Sequence, residues 1–404
     1  MKAVMYGGGN IGRGFIGALF SQSGYAVTFV DVVDAVVEKL RQEGRYPIRY
    51  MSAQGNQDVM VEHVTAVHGN DQELVATAIA ECDVMATAVG ARILKLIVPN
   101  LVAGLRRRWA LGKGPLNIIV CENLLDADKF LAGMIREQLT REECACFDEQ
   151  VGLVEASIGR MVPVQTEEMK AGEFLRVCVE EYGFLPVDKA GFRGDIPRVV
   201  NMVPFEPFDF YIKRKLYIHN MGHGVCAYLG DIQGLPYIYE AIDQAEIRIM
   251  VENAMEESAL ALSRRYQVSL EGIRLHILDL LHRFTNRGLQ DTCQRVGADP
   301  ARKLSREDRL IGAALLALDQ GVTPAFIAVG AGAAVYRYIR EREELSQSVE
   351  TAARVLGEVS HLEKGCPLFE MILEMYGLFL EQKSLTEIRR RADEKKAADL
   401  GNII

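Results

Sequence analysis

The chain has 404 residues, 49% of them hydrophobic and 25% charged, the balance of a globular protein long enough for two domains and a sizeable core. Lys and Arg number 46 against 55 Asp and Glu, a formal charge of -9, which excludes a nonspecific nucleic-acid binder because that needs a basic face. A local basic pocket remains possible, and a phosphorylated ligand would require one.

Lys2–Tyr6 is short and apolar and runs at once into glycines, which predicts a buried strand. A helix over Ile11–Ser23 follows. Val27–Val30 is β-branched or aromatic throughout and ends at Asp31. Val84–Val89, Asn117–Cys121 and Val151–Ala156 have the same character. Between them Val33–Glu43 and Asp126–Glu143 carry apolar residues at helical spacing. This βαβα rhythm implies a parallel sheet with helices on both faces. From about Phe208 the pattern turns helical, over Phe208–Leu229, Ile238–Tyr266, Leu270–Arg283, Arg306–Asp319 and Leu345–Gly357. Val322–Val335 reads as a buried helix and Glu381–Asp399 as a solvated one. Three of the 12 prolines fall within Gly194–Pro207, so the domain boundary is expected near residue 200.

No apolar stretch approaches the ~20 residues of a membrane span, and the opening apolar run is too short for a secretory signal. A cytoplasmic chain with no membrane or nucleic-acid partner is expected. The eight cysteines are scattered, Cys144-Ala145-Cys146 has no second pair at zinc spacing, and no His-Glu-x-x-His occurs. Reduced thiols and no metal site are the expectation.

Gly7-Gly8-Gly9-Asn10-Ile11-Gly12 matches Gly-x-Gly-x-x-Gly between the first strand and its helix. Gly7 permits the tight turn, Gly9 lets a pyrophosphate approach the backbone, and Gly12 lets helix and strand pack closely. The N–H groups of Asn10 and Ile11 open a helix whose dipole suits phosphate. Asp31, 19 residues after Gly12, stands where an acid bonds the ribose hydroxyls of NAD and repels the extra phosphate of NADP. The expected architecture is therefore an α/β Rossmann domain with a mostly parallel sheet over residues 1–200, binding NAD. A mainly α-helical substrate and catalytic domain is expected over 201–404, with the reaction centre in the cleft between the two.

Lys213 to Gly224 is the richest segment for chemistry. On an α-helix with Lys215 as origin, His223 falls near roughly 80° and Asn220 near roughly 140°, so the three share one broad face. Alcohol oxidation needs a base for the hydroxyl proton while hydride leaves carbon, and a lysine of lowered pKa can serve. Asn220 and His223 can hold the oxygen and its developing charge. Tyr211 and Lys215 also fit the Tyr-x-x-x-Lys spacing of short-chain dehydrogenases, a rival reading in which tyrosine is the acid/base. An amphipathic helix with a basic face is the bland alternative.

Several separated motifs in order then resemble the long-chain mannitol dehydrogenase family, in its sugar-phosphate branch. They are Gly7 through Gly17, Arg214-Lys215-Leu216, Asn220, Gly222-His223, Ala227-Tyr228-Leu229-Gly230, Arg295-Val296-Gly297, Arg302-Lys303-Leu304-Ser305 and Asp308-Arg309-Leu310-Ile311. The resemblance implies that Lys215 is the acid/base, that Asn220 and His223 orient the reacting oxygen, and that Asn123, in Cys121-Glu122-Asn123, completes the oxyanion site. It implies that Arg295 and Lys303 hold the far end of the substrate and that Arg160 lines the site. The implied reaction is the NAD-dependent, metal-independent interconversion of mannitol 1-phosphate and fructose 6-phosphate by a monomer or small homo-oligomer. One departure stands out. The family shows Val-Asp-Arg where this chain has Ile158-Gly159-Arg160. The lost carboxylate leaves open a related polyol or hexuronate oxidoreductase acting on an unphosphorylated substrate. A dinucleotide-binding protein without turnover is a third possibility.

Overall fold

The computed structural model describes residues 1–52 and 54–401, with side chains through residue 397. The chain divides into two compact units, Met1–Asp209 and Phe210–Ile404. The strands of the first unit are β1 (Lys2–Tyr6), β2 (Ala26–Asp31), β3 (Arg45–Ser52), β4 (Gly55–Glu62), β5 (Val64–His68), β6 (Val84–Thr87), β7 (Leu116–Val120), β8 (Val151–Glu155), β9 (Val177–Val179), β10 (Leu185–Asp188) and β11 (Met202–Phe205).

Six of them form one sheet in the order β5-β2-β1-β6-β7-β8, with every neighbouring pair parallel. Both faces are covered, so the strands are apolar almost throughout instead of alternating with polar residues. Ala3 and Met5 of β1 pack with Val27, Phe29 and the helix residues Phe15, Ile16 and Leu19. Val4 and Tyr6 point the other way, toward Ile97, Leu101 and Leu105 of the helix Leu94–Ala110. Each fully buried aliphatic side chain of this kind contributes about 1.5–3 kcal/mol. Chain order reverses between β1 and β6, and the carboxyl ends of the strands at such a point are where open α/β sheets bind ligands.

The sequence pattern did not announce a second sheet, ordered β4-β3-β9, or the parallel pair β10–β11. Their signal is weak for a physical reason. Of the eight residues of β4 only Val61 is buried, and β9 is three residues long. The helix expected over Asp126–Glu143 is two, Ala127–Arg136 and Arg141–Gln150. Thr140 starts the second with a reciprocal cap: its hydroxyl accepts the Glu143 N–H at 3.2 Å and its own N–H donates to Glu143 Oε2 at 2.8 Å.

The second unit is helical. Ala325–Arg340 lies at its centre and packs on Met221–Ile232, Ala245–Tyr266 and Pro367–Leu380. Its small residues permit close approach: a Cβ on Gly330 would meet Val225 Cγ2 at 2.4 Å. Pro324 offers no side-chain cap, and the fully buried Glu257 of the neighbouring helix supplies one, accepting the N–H groups of Phe326 and Ile327 at 3.0 Å each. Ile238–Tyr266, expected as one helix, breaks at Gln244 into Ile238–Asp243 and Ala245–Tyr266.

Candidate active site

The glycine loop sits at the carboxyl end of β1, beside that of β6. Gly7 has φ +103, and a Cβ there would lie 2.5 Å from the Ala88 carbonyl oxygen. A Cβ on Gly12 would lie 1.8 Å from the Gly7 oxygen, so that position also excludes any side chain. Gly9 differs, because nothing lies within 4 Å of where its Cβ would be. The open space above Gly9, next to two positions closed by sterics, is a cradle that a bound pyrophosphate fits. Asn10 and Ile11 begin the helical segment, whose first full turns, Gly12–Ile16, are π-helical before Gly17–Gln22 continues as α-helix.

Asp31 ends β2 and braces this loop. Its Oδ2 accepts the Gly8 N–H at 2.6 Å and its Oδ1 the Val33 N–H at 2.9 Å. A carboxylate has acceptor capacity beyond two bonds, so a ribose hydroxyl fits the same group. Two further braces escaped sequence reasoning. The buried Arg13 donates Nε to the Gly8 carbonyl at 2.6 Å and Nη1 to Leu175, and burial lowers its pKa against the pull of Tyr46 and Asp31. Buried Glu122 accepts the N–H groups of Val89 (3.0 Å) and Gly90 (2.7 Å), which fixes the turn after β6. Glu122 ends β6 at Thr87, two residues short of the expected Val89. Asn123 follows it, exposed, past the carboxyl end of β7.

Arg160 is buried inside the first unit. Nη1 donates to the Gly14 carbonyl at 2.7 Å, Nε donates to the Tyr182 carbonyl, and the guanidinium lies 4.4 Å from the Phe15 ring centroid. These contacts tie it to the nucleotide helix. At the departure, a Cβ on Gly159 would meet Tyr182 Cε1 at 3.0 Å, so a side chain there would require the tyrosine ring to give by a few tenths of an ångström.

In the second unit the expected α-helix through Lys215 is interrupted. Asp209–Arg214 is α-helical, Lys215–Asn220 is π-helical, and Met221–Ile232 resumes the α-helix. The wider i→i+5 turn changes the face assignment made from 3.6 residues per turn, and such turns recur at functional sites. Lys215, Asn220 and His223 are all half-buried on this element. The positive charge of Lys215 is felt at the buried His219, whose pKa burial lowers first, followed by Arg283, His223, His276 and Lys215.

His223 stacks on Phe284 (4.8 Å between centroids, 18° between planes), and its Nε2 lies 3.3 Å from Asp291 Oδ2. Asp291 is buried and gripped by Arg295, Nε to Oδ1 at 2.7 Å and Nη2 to Oδ2 at 2.6 Å. Burial pushes its pKa up, but the His223 contact and the Arg295 charge outweigh this and leave it lowered. The carboxylate lies within ion-pair range of Nε2, but that buried nitrogen makes no hydrogen bond among the described residues. Asp291 was not singled out from sequence, since it belongs to no motif and lies far from His223 in the chain.

Lys303 is buried, and its ammonium donates to the Ala298 carbonyl. Burial, then the charges of Arg309 and Arg302, pushes it down to about 8 against the pull of Asp299 and Asp308. Burial raises the pKa of the Tyr211 phenol, the wrong direction for a tyrosine base. Among the described residues no group of three or more His, Cys, Asp or Glu is arranged to hold a metal ion, and no helix is long and apolar enough to cross a membrane.

The parallel sheet, its reversal point and the glycine loop define a dinucleotide-dependent oxidoreductase of two units. Family models for the mannitol dehydrogenase Rossmann domain and the mannitol dehydrogenase C-terminal domain match residues 1–200 and 208–370. The chain belongs to the mannitol dehydrogenase family. It is 36% identical over 379 residues to mannitol-1-phosphate 5-dehydrogenase of Bacillus licheniformis, covering 92% of this chain and 99% of that one. The same enzyme of Bacillus pumilus is 34% identical, covering 93% of this chain and 99% of its relative. Among solved structures, Pseudomonas fluorescens mannitol 2-dehydrogenase, in a ternary complex with NAD and D-mannitol, superposes with a TM-score of 0.76 at 13% identity, covering 98% and 94% of the two chains. D-Sorbitol dehydrogenase in substrate-free form gives 0.77 at 14% identity, covering 95% and 93%. These two likenesses concern the fold.

Proposed function

We propose that the chain interconverts mannitol 1-phosphate and fructose 6-phosphate with NAD as cofactor, Lys215 as acid/base and no metal. The observation that carries this reading is the identity, along nearly the whole chain, to enzymes named for that substrate. The buried Lys303 with Arg309 and Arg302 beside it, in a chain of charge -9, supports a phosphorylated ligand.

Gly7, Gly9, Asn10, Ile11, Gly12 and Asp31 would hold NAD, which supplies the hydride acceptor when bound. The alcohol oxygen loses its proton as hydride leaves carbon, and the neutral Lys215 amine takes that proton. In the reverse direction the ammonium returns it to the carbonyl oxygen. The Asn220 amide donates an N–H to the oxygen, and the bond strengthens as negative charge grows there. His223 bonds a substrate hydroxyl, its ring held by Asp291 and Phe284. Asn123, exposed past the end of β7, is assigned to the oxyanion by resemblance to the family alone. Arg160 supports the nucleotide helix and orders the site indirectly. Lys303 belongs to the substrate end, and Arg295 stands behind it, bonded to Asp291.

Lys215→Ala is expected to lower kcat by at least roughly 100-fold, the low end of what general acid–base catalysis supplies. NADH binding, measured by fluorescence titration, should stay near the wild-type value. Near-normal turnover in this variant would sink the lysine assignment.

A further inference from the structure

We propose that Arg309, paired with Lys303, reads the substrate's phosphate, and that Arg295 is a positioning residue acting through Asp291 and His223. The inference rests on the sugar-phosphate reading above.

Arg295, its side chain 46% exposed, has one edge already committed. Its Nε and Nη2 both bond the Asp291 carboxylate, which has little exposure and also faces His223 Nε2. Swinging Arg295 toward a ligand would leave a buried carboxylate short of a partner and release the histidine ring, both costly.

Arg309 is placed differently. Its segment runs along the helix that carries the proposed chemistry. The Tyr217 hydroxyl donates to the Glu307 carbonyl at 3.3 Å, and Gly312 is so close to Tyr217 that a Cβ would lie 2.6 Å from the phenol oxygen. A Cβ on Gly224, the residue after His223, would lie 3.7 Å from Arg309 Cδ. The Arg309 side chain is only 12% exposed.

Asp308 holds Arg309 by one edge. Oδ1 accepts Arg309 Nε at 2.8 Å and the Arg309 backbone N–H at 2.6 Å, while Oδ2 accepts Arg302 Nη1 at 3.0 Å. The terminal nitrogens of Arg309 make no hydrogen bond among the described residues, which leaves the edge that matches two oxygens of a phosphate monoester. Arg302 pairs with Asp299 and Asp308 and Arg309 pairs with Asp308, while Lys303 feels the two carboxylates through its charge only. The charge of Arg309 bears on Lys303 more than that of any other residue. An anion between Lys303 and Arg309 relieves that repulsion.

The test compares Arg309→Gln, Arg309→Lys and Arg295→Gln in the full chain. Arg309→Gln should raise the KM for fructose 6-phosphate roughly 10- to 100-fold, the scale of a lost charge-assisted pair of bonds, with KM for NADH within about twofold of wild type. Arg309→Lys, which keeps charge without the planar edge, should fall between. Arg295→Gln should lower kcat more than it raises that KM. An unchanged KM in Arg309→Gln overturns the proposal, as does a larger KM rise in Arg295→Gln, or a rise in both KM values together with a lower melting temperature in Arg309→Gln and Arg309→Lys alike. Should the wild type not turn over fructose 6-phosphate, the parent reading fails, and calorimetry with inorganic phosphate decides the inference separately. Binding to wild type that Arg309→Gln weakens tenfold or more supports it; no binding, or equal binding, overturns it.

Discussion

At the scale of single residues, Asp31 and Lys303 carry the sharpest predictions of the proposed function. Both oxygens of Asp31 take backbone N–H groups, from Gly8 and Val33, so the side chain shapes the loop that the proposed function gives to NAD. Asp31→Ala should raise the KM for NAD by roughly tenfold or more, the scale of a charge-assisted hydrogen bond, and shrink the preference for NAD over NADP. A steady-state comparison of kcat/KM for the two cofactors checks this, and a wild-type enzyme already preferring NADP contradicts it. Lys303 has its pKa lowered to about 8, so its positive charge is present below that pH and lost above it. A phosphate monoester is already dianionic there, its second pKa being about 6. The KM for fructose 6-phosphate should therefore climb as pH rises through about 8, while Lys303→Arg, whose guanidinium stays charged, should give a flat profile. Identical profiles would contradict the role given to Lys303. At this scale the sequence revealed the residues that share one element, Lys215, Asn220 and His223, because helical spacing relates them. Asp291 and Glu122 stayed hidden, because each meets its partner through tertiary packing that no local spacing encodes.

Elements matter through the turns that depart from the regular. The strand, glycine turn and helix of the nucleotide loop were legible because sterics dictate glycine there: no Cβ fits at Gly7 or Gly12. Gly9 has no such reason in the protein alone, and the proposed function assigns the open space there to the pyrophosphate. The two positions therefore separate fold from function. Gly9→Ala should leave the melting temperature of the cofactor-free protein unchanged and weaken NADH binding. Gly12→Ala should destabilise the protein by about 1–3 kcal/mol, the cost of overpacking, and weaken binding as well. Thermal melts paired with NADH titrations distinguish these outcomes; equal destabilisation by both would refute the assignment of the Gly9 space. The π-helical turn at Lys215–Asn220 was not legible. Its residues are compatible with an ordinary helix, and the segment is held by the partners of Tyr217 and His219, which lie far off in sequence. The β4-β3-β9 sheet escaped for other reasons: β4 is exposed except at Val61, β9 is three residues long, and the buried residues of β3 do not alternate.

For the whole molecule, composition and rhythm sufficed to place an α/β unit before a helical one, since both are consequences of where apolar residues recur. Charge is the global quantity that most constrains function. A chain of net charge -9 gathers Arg302, Lys303 and Arg309 beside the helix that carries Lys215 and His223, the local charge that the proposed sugar-phosphate substrate requires. The direct measurement is oxidation of NADH, followed by its near-ultraviolet absorbance, with fructose 6-phosphate, fructose, fructuronate and tagaturonate offered separately to the full chain. Rapid loss of absorbance with fructose 6-phosphate alone is the predicted result. Turnover of an unphosphorylated sugar or sugar acid in preference to fructose 6-phosphate would contradict the account, and would turn attention to Gly159 and Tyr182.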